Sequence, residues 1–176
     1  MVYGDTYIYE MMDRGLIQNA DDKQVGPASL DLRLGNTFKV PKRGKWIKLG
    51  GEVEYETYIV KNDGFVLEPH EFCLATTLEC VNLPPDIAAF VQGRSSIGRA
   101  GLSTQNAGFV DPGFHGHITL ELKNETYCPI VLRPGYPVAQ LVFMEANMVT
   151  HPYAGKYNGQ VEATESRMYM DEEARA

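Results

Sequence analysis

The side chains best suited to chemistry lie within thirty residues in the middle of the chain, residues 93–122. This segment reads GRSSIGRAGLSTQNAGFVDPGFHGHITLEL. It holds two arginines, two adjacent serines, a Gln-Asn pair, an aspartate at a Pro-Gly turn and a glutamate within an apolar strand pattern. Guanidinium and hydroxyl groups donate hydrogen bonds to phosphate oxygens, and carboxylates exchange protons. The segment therefore suits a site that binds a triphosphate and performs acid–base chemistry.

The run Arg94-Ser95-Ser96 offers a guanidinium fork, two hydroxyls and backbone N–H groups, all of which are donors for phosphate oxygens. Arg99 follows Ser95 by four positions, so on a helical turn both side chains face one site. The same residues also suit a serine-capped turn with surface arginines. Taken alone, the run leaves both interpretations open.

Two carboxylates follow in the segment. Asp111 precedes Pro112-Gly113, so it either initiates a turn or accepts a hydrogen bond from a sugar hydroxyl or a water. Glu121 interrupts an apolar alternation and falls on the face opposite Ile118, which is either solvated or the wall of a pocket. A pocket wall would raise the pKa of Glu121 toward the range of a general acid–base.

Several common catalytic motifs are missing from the sequence. It has no GxxxxGK[ST] loop, no GxGxxG after a strand and no GxSxG elbow. Zinc deaminases use HxE and PCxxC motifs, and the four histidines and three cysteines never adopt that spacing. Any deamination by this chain must therefore work without zinc.

Length, charge and cysteine content restrict the number of domains and the kinds of partner that the chain can have. A chain of 176 residues is predicted to form a single domain over residues 1–176. Its net charge of -7, from 16 basic and 23 acidic residues, argues against a nucleic-acid partner. The three cysteines show no disulfide or metal pattern, and neither a signal peptide nor a long apolar run is visible. We expect a cytoplasmic protein without a membrane partner.

The elements that must position these groups begin with a short helix, capped by Asp5 or Thr6, in which Ile8, Met11 or Met12, and Leu16 recur at helical spacing. From Ser29 the apolar period changes to two, which predicts a half-buried strand that ends at Gly35-Asn36. Residues 41–58 are rich in Lys, Gly and Glu, which indicates a surface hairpin or excursion.

Further short strands are predicted around residues 65–67, 72–78, 87–91, 118–122 and 138–143, with Pro or Gly punctuation between them. Many short strands and little helix indicate a mainly β fold, either a sandwich or a distorted barrel, with the short helix at its N-terminus. After about residue 151 the pattern decays, and residues 168–176 are expected to form an exposed tail.

Together, GRSSIGR, NAGFVDPGFHGHITLEL, the Arg133-Pro134-Gly135 turn and VAQLVF resemble the dCTP deaminases of the trimeric dUTPase-like fold. The resemblance covers residues 27–167. It implies a distorted dUTPase-like β-barrel in a homotrimer, with active sites at subunit interfaces. It also implies dCTP or dUTP as substrate and Mg²⁺ carried by the triphosphate, with no direct protein ligand to the metal.

The resemblance also implies roles for individual residues. Glu121 would activate the water that attacks cytosine, with Ser95 and Arg99 orienting that water, while Asp111 would bind the deoxyribose 3′-hydroxyl and Phe114 would pack on the sugar. A lid and tail formed by residues 151–176 would close over the triphosphate. The other implied substrate-binding residues are Arg94, Ser96, Gln105, Asn106, Ala107, Gly108, Gln140, Tyr153, Lys156 and Gln160.

The loop Gln105-Asn106-Ala107-Gly108 is one residue shorter than in single-activity deaminases and resembles bifunctional members that also hydrolyse the triphosphate. By the same resemblance, Asp111 would supply the carboxylate for that hydrolysis. We therefore predict a zinc-independent hydrolase that converts dCTP to dUMP, ammonia and pyrophosphate. The alternatives, in order, are a deaminase releasing dUTP, a dUTPase alone and a nucleotide-binding regulator without turnover.

Overall fold

The structure is a computed structural model that describes residues 1–105 and 108–175. As predicted, the fold is mainly β with a short N-terminal helix. The helices of the described residues are α1 (Asp5–Asp13) and α2 (Ser95–Arg99), with 3-10 turns at Asp22–Gln24, Met168–Met170 and Glu172–Arg175. The strands are β1 (Ile17–Gln18), β2 (Val25–Gly26), β3 (Ser29–Pro41), β4 (Tyr55–Ile59), β5 (Phe65–Leu67), β6 (Phe72–Asn82), β7 (Ile87–Gly93), β8 (Leu102–Thr104), β9 (Phe109–Val110), β10 (His115–Asn124), β11 (Ile130–Leu132) and β12 (Pro137–Glu145).

Most strands join one antiparallel sheet with the path β8-β10-β6-β3-β12-β7-β9, which curls into a half-barrel. Strands β1, β2 and β4 pair at the sides of this path, and β5 pairs with β11 in a separate small sheet. The two ends of the path, β8 and β9, are neighbours in the sequence, joined by residues 105–108.

Buried residues alternate along the strands with a period of two, as predicted, and their side chains form the core. In β3, Leu30, Leu32 and Leu34 are buried while the residues between them are only partly covered. In β10, Ile118, Leu120 and Leu122 are buried in the same way. Burial of these side chains contributes roughly 1.5–3 kcal/mol each. The largest fully buried side chains of the core are Phe38, Phe143, Ile8, Met11, Leu30, Leu32, Leu34, Leu67, Ile87, Leu120, Leu122 and Leu141.

The predicted end of β3 at Gly35-Asn36 is wrong, because the strand continues to Pro41. Gly35 serves close packing rather than a turn: a Cβ on Gly35 would lie 2.4 Å from the Thr76 side chain. The β3–β6 register shifts between Leu34 and Phe38, so the strand bends here without ending. A glycine within a strand often marks such an irregularity.

The predicted cap of α1 is also wrong. Gly4 is the N-cap and provides no side-chain cap, while Asp5 is already the first helical residue. The Asp5 carboxylate accepts a hydrogen bond from the Thr6 N–H at 2.7 Å, and the Asp5 N–H donates to the Pro27 carbonyl at 3.1 Å. Tertiary contact therefore satisfies part of this helix end.

Residues 41–58 form the predicted hairpin, because β4 pairs with β3 from Thr37↔Ile59 to Pro41↔Tyr55. The tail is less exposed than predicted: Asp171 is partly covered and pairs with Lys156.

All three cysteines are free, and burial raises the pKa of the Cys73 thiol to about 12. No helix in residues 1–105 and 108–175 is long and apolar enough to cross a membrane.

Candidate active site

A cavity of about 680 Å³ opens between the two ends of the curled sheet. Its volume lies in the range of small-ligand pockets. One wall is the part of β10 that β8 does not pair, another is formed by β7 and β9, and the C-terminal segment covers the remaining side. The lining residues are Tyr55, Phe72, Leu74, Val91, Thr104, Gln105, Gly108, Phe109, Val110, Asp111, Phe114, Ile118, Thr119, Leu120, Glu121, Tyr153, Lys156, Tyr157, Gln160, Thr164, Glu165 and Ser166.

Glu121 lies in this wall. The alternation of β10 buries Leu120 and Leu122 in the core and turns Glu121 to the other face, where it is half-buried. Burial raises the pKa of the Glu121 carboxyl, and no charged neighbour contributes to this shift in the described chain. The face is therefore a pocket wall, and the carboxyl has the raised pKa that the sequence predicts for that case.

Asp111 and Phe114 reach the cavity from the turn that joins β9 to β10. The Phe114 N–H donates to the Asp111 carbonyl at 3.1 Å, which closes the turn around Pro112-Gly113. Asp111 is exposed at the rim, whereas Phe114 is buried and packs 6.2 Å from the Tyr153 ring. The two side chains thus bring an accepting carboxylate and an apolar surface to the same cavity.

The C-terminal segment lies along the free edge of β10. The His117 N–H donates to the Gln160 carbonyl at 2.9 Å, and the Thr119 hydroxyl donates to the Gln160 side chain at 2.8 Å. A Cβ on Gly116, which has φ of +135°, would lie 2.7 Å from the Gln160 nitrogen. This position therefore requires glycine, because only glycine allows so close an approach of two backbones.

Lys156 lies in the same segment and also lines the cavity. Its ammonium pairs with Asp171 and sits 5.4 Å from the centre of the Tyr157 ring. The hydrogen bond with Asp171 raises the pKa of Lys156. Of the predicted lid residues, Tyr153, Lys156 and Gln160 are thus brought to one cavity with Glu121 and Asp111.

The predicted residues of α2 lie elsewhere. Ser95, Ser96 and Arg99 occupy the expected helical turn, but all three are exposed and none lines the cavity of the same chain. Within one chain, the predicted active-site residues therefore lie in two places. Glu121 lies in the cavity, whereas Ser95 and Arg99 lie on an exposed helix outside it.

Two further residues that were predicted to bind phosphate, Arg94 and Gln140, also lie outside the cavity. Arg94 forms an ion pair with Asp31 at 3.0 Å and donates to the Pro137 carbonyl at 3.1 Å. Gln140 lies opposite Asp31 in the β3–β12 register. Neither Arg94 nor Gln140 lines the cavity of the same chain.

The short loop is only partly described. Asn106 and Ala107, predicted to meet the pyrimidine, lie outside the described residues. On either side of them, the Gln105 N–H donates to the Glu121 carbonyl at 2.9 Å, and the Gly108 carbonyl accepts from Val91 N–H at 2.8 Å. The loop ends are therefore fixed to both walls of the cavity.

Sequence reasoning missed Tyr55, Thr119 and Glu165, all of which line the cavity. Thr119 is the period-two neighbour of Glu121 on the same face of β10, so the strand pattern contains a detectable signal for it. Glu165 forms an ion pair with Lys39, which lowers the pKa of the Glu165 carboxyl. Tyr55 comes from the surface hairpin, where no local pattern indicates a pocket.

The described residues contain no group of three or more His, Cys, Asp or Glu side chains that could hold a metal ion.

Residues 2–146 match the family model described as dCTP deaminase-like. A protein of Sulfurihydrogenibium sp. (strain YO3AOP1) named dCTP deaminase, dUMP-forming, is 41% identical over 97% of this chain and 99% of its own length. A protein of Persephonella marina with the same name is 39% identical over 98% of this chain and 100% of its own length.

Two solved structures are also similar. The 2′-deoxycytidine 5′-triphosphate deaminase from Agrobacterium tumefaciens superposes with a TM-score of 0.68 at 27% identity, covering 82% of this chain. The match covers 48% of that structure, so this chain spans about half its length. A mutant dUTPase from phage phi11 of S. aureus gives a TM-score of 0.53 at 16% identity over 80% of this chain and 91% of that one, which supports the fold alone.

Proposed function

The chain belongs to the dCTP deaminase-like family, and we propose that it is a bifunctional hydrolase that converts dCTP and water to dUMP, ammonia and pyrophosphate. The observation that carries the proposal is Glu121: a carboxyl with a pKa raised by burial faces a nucleotide-sized cavity. The names of the relatives, dCTP deaminase, dUMP-forming, support the same overall reaction.

Deamination needs a base that first takes a proton and then returns it. Glu121 takes a proton from the water that attacks cytosine C4, which forms a tetrahedral carbon. The protonated carboxyl then donates to the amino group, which leaves as ammonia. A raised pKa helps both steps, because the carboxyl accepts the proton more readily and holds it until the amine takes it.

Release of pyrophosphate needs a second water, in line with the α-phosphorus. Asp111 is the exposed carboxylate at the cavity rim and would take the proton of that water, next to the sugar that Phe114 supports. Mg²⁺ bound to the triphosphate would neutralise charge that develops on the phosphate oxygens. This Mg²⁺ needs no direct protein ligand, because Mg²⁺ usually keeps several waters and binds substrate phosphates. The exposed Asp111 carboxylate at the rim would accept hydrogen bonds from those waters.

We also propose a homotrimer. Ser95 and Arg99 lie on an exposed helix outside the cavity that contains Glu121. If these residues orient the attacking water, α2 of one copy must reach the cavity of another, and a closed ring of copies supplies every cavity with one helix. A cytoplasmic location is part of the proposal, supported by three free cysteines, since thiols persist in a reducing compartment.

Product analysis tests the proposed function. Purified protein is incubated with Mg²⁺ and dCTP, with dUTP in a parallel reaction, and the products are separated by chromatography. We expect dUMP and pyrophosphate from both substrates and ammonia from dCTP alone. Accumulation of dUTP from dCTP would contradict the second activity, and turnover of dUTP alone would contradict the role of Glu121.

A further inference from the structure

Lys156, the cation that the C-terminal segment places in the cavity, already has an anionic partner. Asp171 binds its ammonium from fifteen positions further along the chain. The Lys156 side chain is 20% exposed and that of Asp171 is 44% exposed, so the pair sits at the cavity margin where a ligand can reach it. A lysine that faces both a ligand pocket and an internal carboxylate has two possible partners.

We propose that Asp171 competes with the β- and γ-phosphates for Lys156 and so lowers the affinity of the site for triphosphate and pyrophosphate. This inference deepens the proposed function and rests on it, because it assumes that the cavity binds a deoxynucleoside triphosphate. A triphosphate reaches Lys156 and displaces Asp171. A monophosphate lacks the outer phosphates and leaves the Lys156–Asp171 pair in place.

The structure supports displacement of Asp171 without unfolding of the segment. Tyr157 OH accepts the Arg167 N–H at 3.0 Å, and the Arg167 guanidinium donates to the Lys156 carbonyl. These contacts join the two sides of the segment through groups other than the Asp171 carboxylate. Gln160 and Thr164 fix the same segment to Thr119 on β10. Loss of the carboxylate therefore leaves the position of the lid unchanged.

Every ligand that binds Lys156 loses part of its binding free energy, because it must break the Lys156–Asp171 ion pair. A compact ammonium forms its strongest contact with one anion at a time, so triphosphate and pyrophosphate must both break the internal ion pair. Binding of dUMP does not carry this cost. After hydrolysis, Asp171 recovers Lys156 and so favours the release of pyrophosphate.

The test is Asp171→Asn, which keeps the shape and removes the charge. Affinities are measured by calorimetry for the non-hydrolysable α,β-imido analogue of dUTP, for pyrophosphate and for dUMP. From the usual strength of partly exposed ion pairs, we expect the dissociation constants of the first two to fall about two- to fivefold and that of dUMP to stay unchanged. Asp171→Glu should restore the wild-type constants.

Glu172→Gln is the matched control, since this exposed neighbour loses the same charge without a contact to Lys156 in the described chain. An equal gain in Glu172→Gln would mean that net charge alone causes the effect, and would overturn the inference. A weaker or unchanged affinity of Asp171→Asn for the triphosphate analogue would also overturn it, since a purely structural pair should loosen the site. If wild type binds no deoxynucleoside triphosphate, the proposed function itself fails.

Discussion

Replacing Glu121 by Gln removes the proposed acid–base group while nearly preserving its size. The amide still accepts a hydrogen bond but cannot take the proton of the attacking water. General acid–base catalysis contributes about 10²- to 10⁴-fold, so we expect deamination to slow by that factor, or about 3 to 5 kcal/mol in activation free energy. Nucleotide affinity should change little, because the cavity wall keeps its shape.

The raised pKa of Glu121 also predicts the effect on stability. The folded chain binds this proton more tightly than the unfolded chain, so the free energy of unfolding falls as pH rises from the unfolded pKa through the raised folded value. Above that window the charged carboxylate costs stability. Glu121→Gln removes this cost, so near pH 7 the variant should melt at the same temperature as wild type or a higher one.

The assay combines ammonia release, equilibrium binding of dCTP and thermal melting of the same preparations. Glu165→Gln is the matched control, because its carboxyl lines the same cavity but is paired with Lys39. We expect less than about tenfold loss in this control. Deamination by Glu121→Gln within tenfold of wild type would refute the assigned role, and so would a loss explained entirely by weaker binding.

Three other regions of the molecule each yield a prediction. Mixing inactive Arg99→Ala and Glu121→Gln subunits should restore about a quarter of wild-type activity, since a random trimer joins intact partners at that frequency; no recovery would contradict shared sites. Asp111→Asn should reduce pyrophosphate release more than ammonia release, and equal losses would mean that Asp111 mainly positions the sugar. Arg33→Met should cost about 3–5 kcal/mol in urea unfolding, because it removes the guanidinium whose Nε donates to the buried Glu79 carboxylate at 2.7 Å; a smaller loss would mean that the groups around Glu79 rearrange to compensate.

Regular alternation made much of the fold predictable. The buried leucines of β3 and β10 follow a period of two, so strand type, inward face and the position of Glu121 could be predicted from local sequence. The errors arose where tertiary contacts determine the end of a helix or strand. Gly35 looks like a strand end in the sequence, but the structure shows a close contact with Thr76 across the sheet.

Many residues of the candidate site could be predicted from the sequence, but their positions relative to the cavity could not. Spacing placed Ser95 and Arg99 on one helical turn, and the structure contains that turn. Spacing carries no information on whether the turn reaches the cavity of its own chain. Tyr55 and the Lys156–Asp171 pair were missed for a similar reason, since both depend on tertiary contacts that no local sequence pattern indicates.

In the proposed function, one protein performs two hydrolytic steps on dCTP, one at the base and one at the α-phosphorus. The most direct measurement is turnover of dCTP in H₂¹⁸O, with mass spectrometry of the products. We predict dUMP labelled both at the C4 oxygen and on its phosphate, together with unlabelled pyrophosphate. Label at C4 alone in a triphosphate product, or label in pyrophosphate instead of dUMP, would contradict the account.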